Sequence, residues 1–202
     1  MKPERIGIYG GSFSPPHVGH RHAAEAFLEA EKPDKLLIMP ASIPPHKALL
    51  EPVGGEIRAE LCRLNFEGLR NTEICDLELR RAGKSYSYLT LEELSAKDRT
   101  LILLCGTDMF LTLDTWREPE KIFNLAEIVC IRREADATLT STLENKKKEF
   151  ETRFSATVRF LNDEAVLASS TDIRSRLKTG ADTSELLMPK VREYIEKCNL
   201  YK

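Results

Sequence analysis

The chain has 202 residues, with 30 Lys and Arg against 32 Asp and Glu for a formal net charge of -2. That length suits one compact domain, and the near-neutral balance excludes a global positive field that would draw the protein onto nucleic acid or an anionic membrane. A composition of 42% hydrophobic and 31% charged residues excludes a disordered or fibrous chain.

Residues 5–9 (RIGIY) form a short β-leaning run that stops at Gly10-Gly11. From Val18 to Ala30 the residues Ala23, Ala26, Phe27 and Ala30 recur at helical spacing, and Pro33 closes the segment. Residues 35–39 (KLLIM) read as a second strand, followed by a loop over 40–47. Ile57 to Leu69 is predicted helical, with Ile57, Leu61, Leu64 and Leu69 inward, and Thr72 to Leu79 extended. A helix over 88–96 precedes residues 100–105 (TLILLC), a run apolar enough for a strand buried on both faces, which Gly106 breaks. Helices near 109–113 and 118–125, a strand over 127–131, a helix over 139–154 and a strand over 157–161 follow. Helices near 171–178 and 190–198 close the chain.

Strands alternating with helices predict an α/β fold: a Rossmann-like doubly wound parallel sheet with helices on both faces. We expect one domain over 1–202, with a helical C-terminal part from about 171. No apolar run approaches the roughly 18 residues of a membrane span, and no signal-peptide pattern opens the chain, so a cytoplasmic location is expected. Cys62, Cys75, Cys105, Cys130 and Cys198 are widely spaced and lack Cys-x-x-Cys pairs, which predicts reduced thiols rather than a zinc or disulfide framework.

All four histidines, His17, His20, His22 and His46, lie in the first 46 residues, an arrangement with a random chance of roughly 0.003. Three of them follow the glycine turn in GGSFSPPHVGH, residues 10–20. Glycines let backbone approach a ligand, and amides at a helix start suit phosphate. His17 and His20, three apart, face one way at a helical entry, and His22 points elsewhere. Two imidazoles there can stabilise charge growing in phosphoryl or nucleotidyl transfer. Read from residues alone, a phosphate site, a structural turn and a metal site all remain open. The run Glu144 to Glu149 reads as a solvated helix face.

GGSFSPPHVGH resembles the H-x-G-H signature of the nucleotidyltransferase superfamily, and residues 169–174 (SSTDIR) resemble its S-S-T-x-I-R segment. Residues 39–47 (MPASIPPHK), 85–91 (SYSYLTL) and Gly106-Thr107-Asp108 with Trp116 are similar to segments of the nicotinate mononucleotide adenylyltransferase family, and the likeness runs over essentially the whole chain. Ser12, Ser14 and Ser87 stand where Thr, Asp and Thr are usual in bacterial relatives.

The resemblance implies transfer of AMP from ATP to nicotinate mononucleotide, giving nicotinate adenine dinucleotide and pyrophosphate on the way to NAD. It implies His17, His20, Lys47 and Arg174 as catalytic residues. ATP would meet Gly10, Gly11, Ser12, Phe13, Gly106, Asp108, Ser170 and Thr171 as well as His17, His20 and Arg174. Nicotinate mononucleotide would meet Ser12, Lys47, Ser85, Tyr86, Ser87, Trp116 and Arg133, with the indole on the pyridine and His46 shaping the lysine loop. Mg2+ is expected to arrive with ATP, with no metal ligands in the protein itself, and a homo-oligomer is left open. The alternatives are nicotinamide mononucleotide, phosphopantetheine or another acceptor, a CTP-using relative, a non-catalytic nucleotide-binding regulator, and a metal-dependent hydrolase built on the histidines.

Overall fold

Apolar residues alternate along β1 (Glu4–Gly11), so that Ile6 and Ile8 enter one hydrophobic cluster while Tyr9 enters another. A computed structural model describes residues 2–45, 53–81, 83–132, 137–162, 166 and 168–202. After β1 come α1 (Val18–Glu31), β2 (Lys35–Pro40), α2 (Gly55–Asn65), β3 (Thr72–Ile74), α3 (Leu77–Arg81) and α4 (Ser87–Leu94). Then follow β4 (Arg99–Gly106), α5 (Thr107–Thr112), a 3-10 turn (Leu113–Thr115), α6 (Pro119–Leu125), β5 (Ala126–Arg132), α7 (Ala137–Phe154), β6 (Val158–Asn162), α8 (Ser170–Thr179) and α9 (Pro189–Lys197).

The six strands form one parallel sheet in the order β3-β2-β1-β4-β5-β6. This is the doubly wound topology expected from the sequence. Ile8 lies level with Leu37 on one side and Leu103 on the other, so the three central strands end together. The order in which strands are added reverses between β1 and β4, and a crevice opens beyond their carboxyl ends.

Two apolar layers follow from the strand pleat. On one face Ile6, Ile8, Leu101, Leu103 and Ile128 pack under α5, α6 and α7 through Phe110, Phe123 and Phe150. On the other, Leu36, Ile38, Ile102 and Leu104 pack under α1 and α2 through Ala24, Phe27 and Cys62. A third cluster joins α2 to the C-terminal helices: Leu61 meets Ile173, Leu187, Val191 and Ile195. Cys62, Cys105 and Cys130 are buried, and all five cysteines are free thiols.

Three segments depart from the sequence reading. Residues 77–79 are helical, not extended, because the last ladder bond of β3 runs from Cys75 N–H to the Ile38 carbonyl, after which Arg80 N–H turns back to Asp76. Helix α2 stops at Asn65, and Gly68 at φ 81° turns the chain before Leu69, which still packs against the second cluster. The run 144–149 is more than a solvated face. Lys146 pairs with the largely buried Asp114 at 2.8 Å and Glu144 with Arg132 at 2.6 Å.

Close packing of α1 on the sheet depends on Gly7, where a methyl group would stand 2.5 Å from Phe27 Cε1, within a fully buried ring. Overpacking of this kind costs about 1–3 kcal/mol. Gly7→Ala should therefore lower the thermal midpoint by roughly 2–4 °C for each kcal/mol in a chain of this size, measurable by calorimetry. An unchanged midpoint would contradict this packing.

Candidate active site

A cavity of about 440 Å³ occupies the crevice between the ends of β1 and β4. Gly10, Gly11, Ser12 and Phe13 form one wall and Gly106 and Asp108 the opposite one. Ser85, Tyr86 and Ser87, at the start of α4, line it with Trp116, while His20 and Ser170 also reach it. A methyl group on Gly10 would meet nothing within 4 Å, so the space beside the strand end is open to a ligand. Most of the residues expected from the sequence thus converge on one place.

The two imidazoles are not equivalent. His17 is the extended residue before α1 (φ -148°, ψ 175°) and is only 2% exposed, whereas His20 faces the cavity. Their ring centroids are 3.7 Å apart. His17 backbone N–H donates to His20 Nδ1 at 3.3 Å, which assigns the proton of a neutral His20 to Nε2. Phe13 also packs edge-on with the His20 ring, centroids 5.0 Å apart. Gly19 allows the stack, since a methyl group there would come within 3.2 Å of His17 Nδ1 and 3.1 Å of the Val166 carbonyl. His22 does not line the cavity.

Arg174 and Thr171 lie beside the cavity, not in its wall. Arg174 donates to the Ser14 carbonyl at 2.7 Å and to Thr171 Oγ1 at 3.2 Å, and Ser170 Oγ donates to the Pro15 carbonyl at 2.8 Å. Ser14 is itself buried, with its hydroxyl 3.4 Å from that of Tyr201. The C-terminal part therefore clasps the loop that carries the histidines. His46, Lys47 and Arg133 lie outside the described residues.

Two buried charges escaped the sequence reading. Arg58, 2% exposed, donates to the carbonyls of Ser12 at 2.8 Å, Ser42 at 3.3 Å and Val53 at 3.4 Å. It holds the loops after β1 and β2 together. Its spacing from Leu61, Cys62 and Asn65 places it on the buried face of α2, and that spacing was the available signal. Glu78 lines the cavity from α3 and accepts a 2.7 Å hydrogen bond from Thr90 Oγ1. It also accepts one from Ser85, whose Oγ receives the Ser42 N–H at 2.8 Å. Burial pushes the Glu78 carboxyl above the usual carboxylate range, and these hydrogen bonds and the Arg81 charge pull only partly the other way.

Residues 8–176 match the cytidylyltransferase-like family model, more than half of the chain. The chain belongs to the cytidylyltransferase-like family. It is 34% identical over 200 residues to a probable nicotinate-nucleotide adenylyltransferase of Fusobacterium nucleatum, covering 96% of this chain and 97% of that one. A protein of the same description from Desulfitobacterium hafniense is 35% identical over 202 residues, covering 99% and 97%. Among solved structures, the nicotinic acid mononucleotide adenylyltransferase of Plasmodium falciparum complexed with NaAD superposes with a TM-score of 0.76 at 19% identity, over 98% of this chain and 97% of that one. At that identity the likeness speaks for the fold.

The raised Glu78 pKa has a signed consequence. The folded state holds this proton more tightly than the unfolded chain, so stability credited to Glu78 is full below the ordinary value of 4.5 and lost as pH rises through the raised one. Denaturant unfolding of wild type and Glu78→Gln across this window should show the stability difference, wild type minus variant, falling as pH rises. A difference that is flat or rises would contradict the burial argument.

Proposed function

We propose that this protein is a nucleotidyltransferase that moves AMP from ATP to nicotinate mononucleotide, releasing pyrophosphate and forming nicotinate adenine dinucleotide for NAD synthesis in the cytoplasm. The observation that carries this reading is the cavity itself. It joins the glycine turn and His20, suited to a triphosphate, to a polar helix start and an indole, suited to a flat aromatic acid. Relatives at 34% and 35% identity over nearly the full length bear the corresponding description, which supports the acceptor. Among the described residues no helix is long and apolar enough to cross a membrane.

The acceptor phosphate is already anionic at neutral pH and needs no base or covalent intermediate. An oxygen of it attacks the α-phosphorus of ATP in line, and the bond to the bridging oxygen breaks as pyrophosphate leaves. The protein's task is alignment and charge stabilisation. His20 offers Nε2–H to the α-phosphate oxygens. His17 is proposed to act on the phosphates beside it, and its backbone N–H also orients the His20 ring.

Arg174 and Lys47 are proposed for the polyphosphate, Asp108 and Gly106 for the adenine nucleotide, and Trp116 for the pyridine. Arg133 is proposed for the mononucleotide phosphate. Among the described residues, no three His, Cys, Asp or Glu side chains cluster so as to hold a metal ion. Mg2+ is proposed to enter as part of the ATP substrate and to keep most of its waters.

Pyrophosphate release tests the reading, with ATP or CTP supplied against nicotinate mononucleotide, nicotinamide mononucleotide and phosphopantetheine. ATP with nicotinate mononucleotide should give the highest kcat/KM. A preference for CTP, or for phosphopantetheine, would contradict the assignment, and ATP binding without release across the panel would mark a regulator.

A further inference from the structure

The cavity has a positive side chain that the reaction scheme above does not use. Arg117 follows Trp116 and lines the same cavity as Trp116, Tyr86 and Ser87. Its guanidinium carbon lies 5.1 Å from the centroid of the Tyr86 ring, a cation–π distance that fixes an otherwise exposed side chain. Tyr86 is the residue before the first turn of α4, and Trp116 ends the 3-10 turn. The contact therefore ties together the two walls between which a flat ring would sit. Nearby, Lys121 of α6 pairs with Glu92 of α4 at 2.7 Å.

Charge distinguishes Arg117 from its neighbours. Among the described residues Arg117 forms no ion pair with a carboxylate, whereas Arg81 and Lys121 nearby are each paired with a glutamate. The cavity also holds two acids, Glu78 and Asp108, and Arg117 is the one Lys or Arg among its described lining residues.

We propose that Arg117 is a specificity-determining residue, whose guanidinium, held over Tyr86 at the cavity wall, favours an acceptor with a carboxylate on its aromatic ring over one with a neutral amide. The assignment rests on the pyridine mononucleotide reading of the acceptor. It adds to that reading a residue and a reason for discrimination. The contribution is electrostatic and solvent-exposed, so it weakens with salt.

The test is kcat/KM for nicotinate and nicotinamide mononucleotides with wild type, Arg117→Gln and Arg117→Lys, each at low and high salt. Arg117→Gln should raise KM for the nicotinate substrate by roughly 3- to 5-fold, the upper end of the range for a charge pair at a solvent-exposed site, with kcat within about twofold. The amide substrate should change by less than about twofold. Arg117→Lys should retain most of the discrimination, and high salt should shrink it in wild type but not in Arg117→Gln.

Equal losses for both acceptors would mean a structural role and overturn the proposal, as would an unaltered preference in Arg117→Gln. If wild type used neither mononucleotide, or preferred the amide, the acceptor reading would fall together with it. A wild type that prefers nicotinate while Arg117→Gln keeps that preference overturns the Arg117 assignment alone.

Discussion

Every feature of the site depends on β1 and β4 lying side by side, in register, with their chains leaving in opposite directions. Parallel pairing brings Tyr9 level with Leu104, so the glycine turn after β1 and the Gly106 segment after β4 emerge at one level. Neither connection can cover the gap between them, because each turns away to opposite sides of the sheet. The cavity is a product of topology. Side chains then give it a chemistry.

Placing those side chains requires contacts far apart in the chain. The loop from Ser12 to His17 is held from beneath by Arg58 and from the C-terminal side by Ser170 and Arg174. The Leu186 carbonyl receives the Val18 N–H, the first of α1. A buried guanidinium is tolerated at Arg58 because three carbonyls replace its water, and losing them would leave an uncompensated charge. These bonds fix His20 before any ligand arrives. Preorganisation of this kind is what makes a donor effective against charge that develops only in a transition state.

How much of this was legible in the sequence follows from what each signal measures. The strands and long helices were readable because their apolar spacing is set by burial, which the sheet then satisfies at Ile6, Ile8 and Leu101 to Cys105. Leu77 to Leu79 misled because alternating apolar residues fit one turn of helix as well as a strand. Arg58 and Glu78 were missed since charge normally marks a surface, and only three-dimensional partners make burial of either one tolerable. Lys146 was misread for the same reason, its partner Asp114 lying 32 residues away. The glycine turn and His20 were read from residue types and spacing, Ser85 to Ser87 and Trp116 from family resemblance, and the cavity gathers them. The unequal exposure of His17 and His20 could not be foreseen, because spacing gives direction along a helix but not depth beneath a loop.

A near-neutral chain can handle two polyanionic substrates if a few positive and donor groups converge, and His20 is the donor proposed to carry the transition state. Its most direct test is His20→Ala under saturating substrates, with turnover and thermal midpoint measured on the same preparation. Loss of one preorganised donor should lower kcat by on the order of 100- to 1000-fold while the midpoint stays close to wild type. Turnover within a few-fold of wild type, or a loss explained by unfolding, would contradict the account.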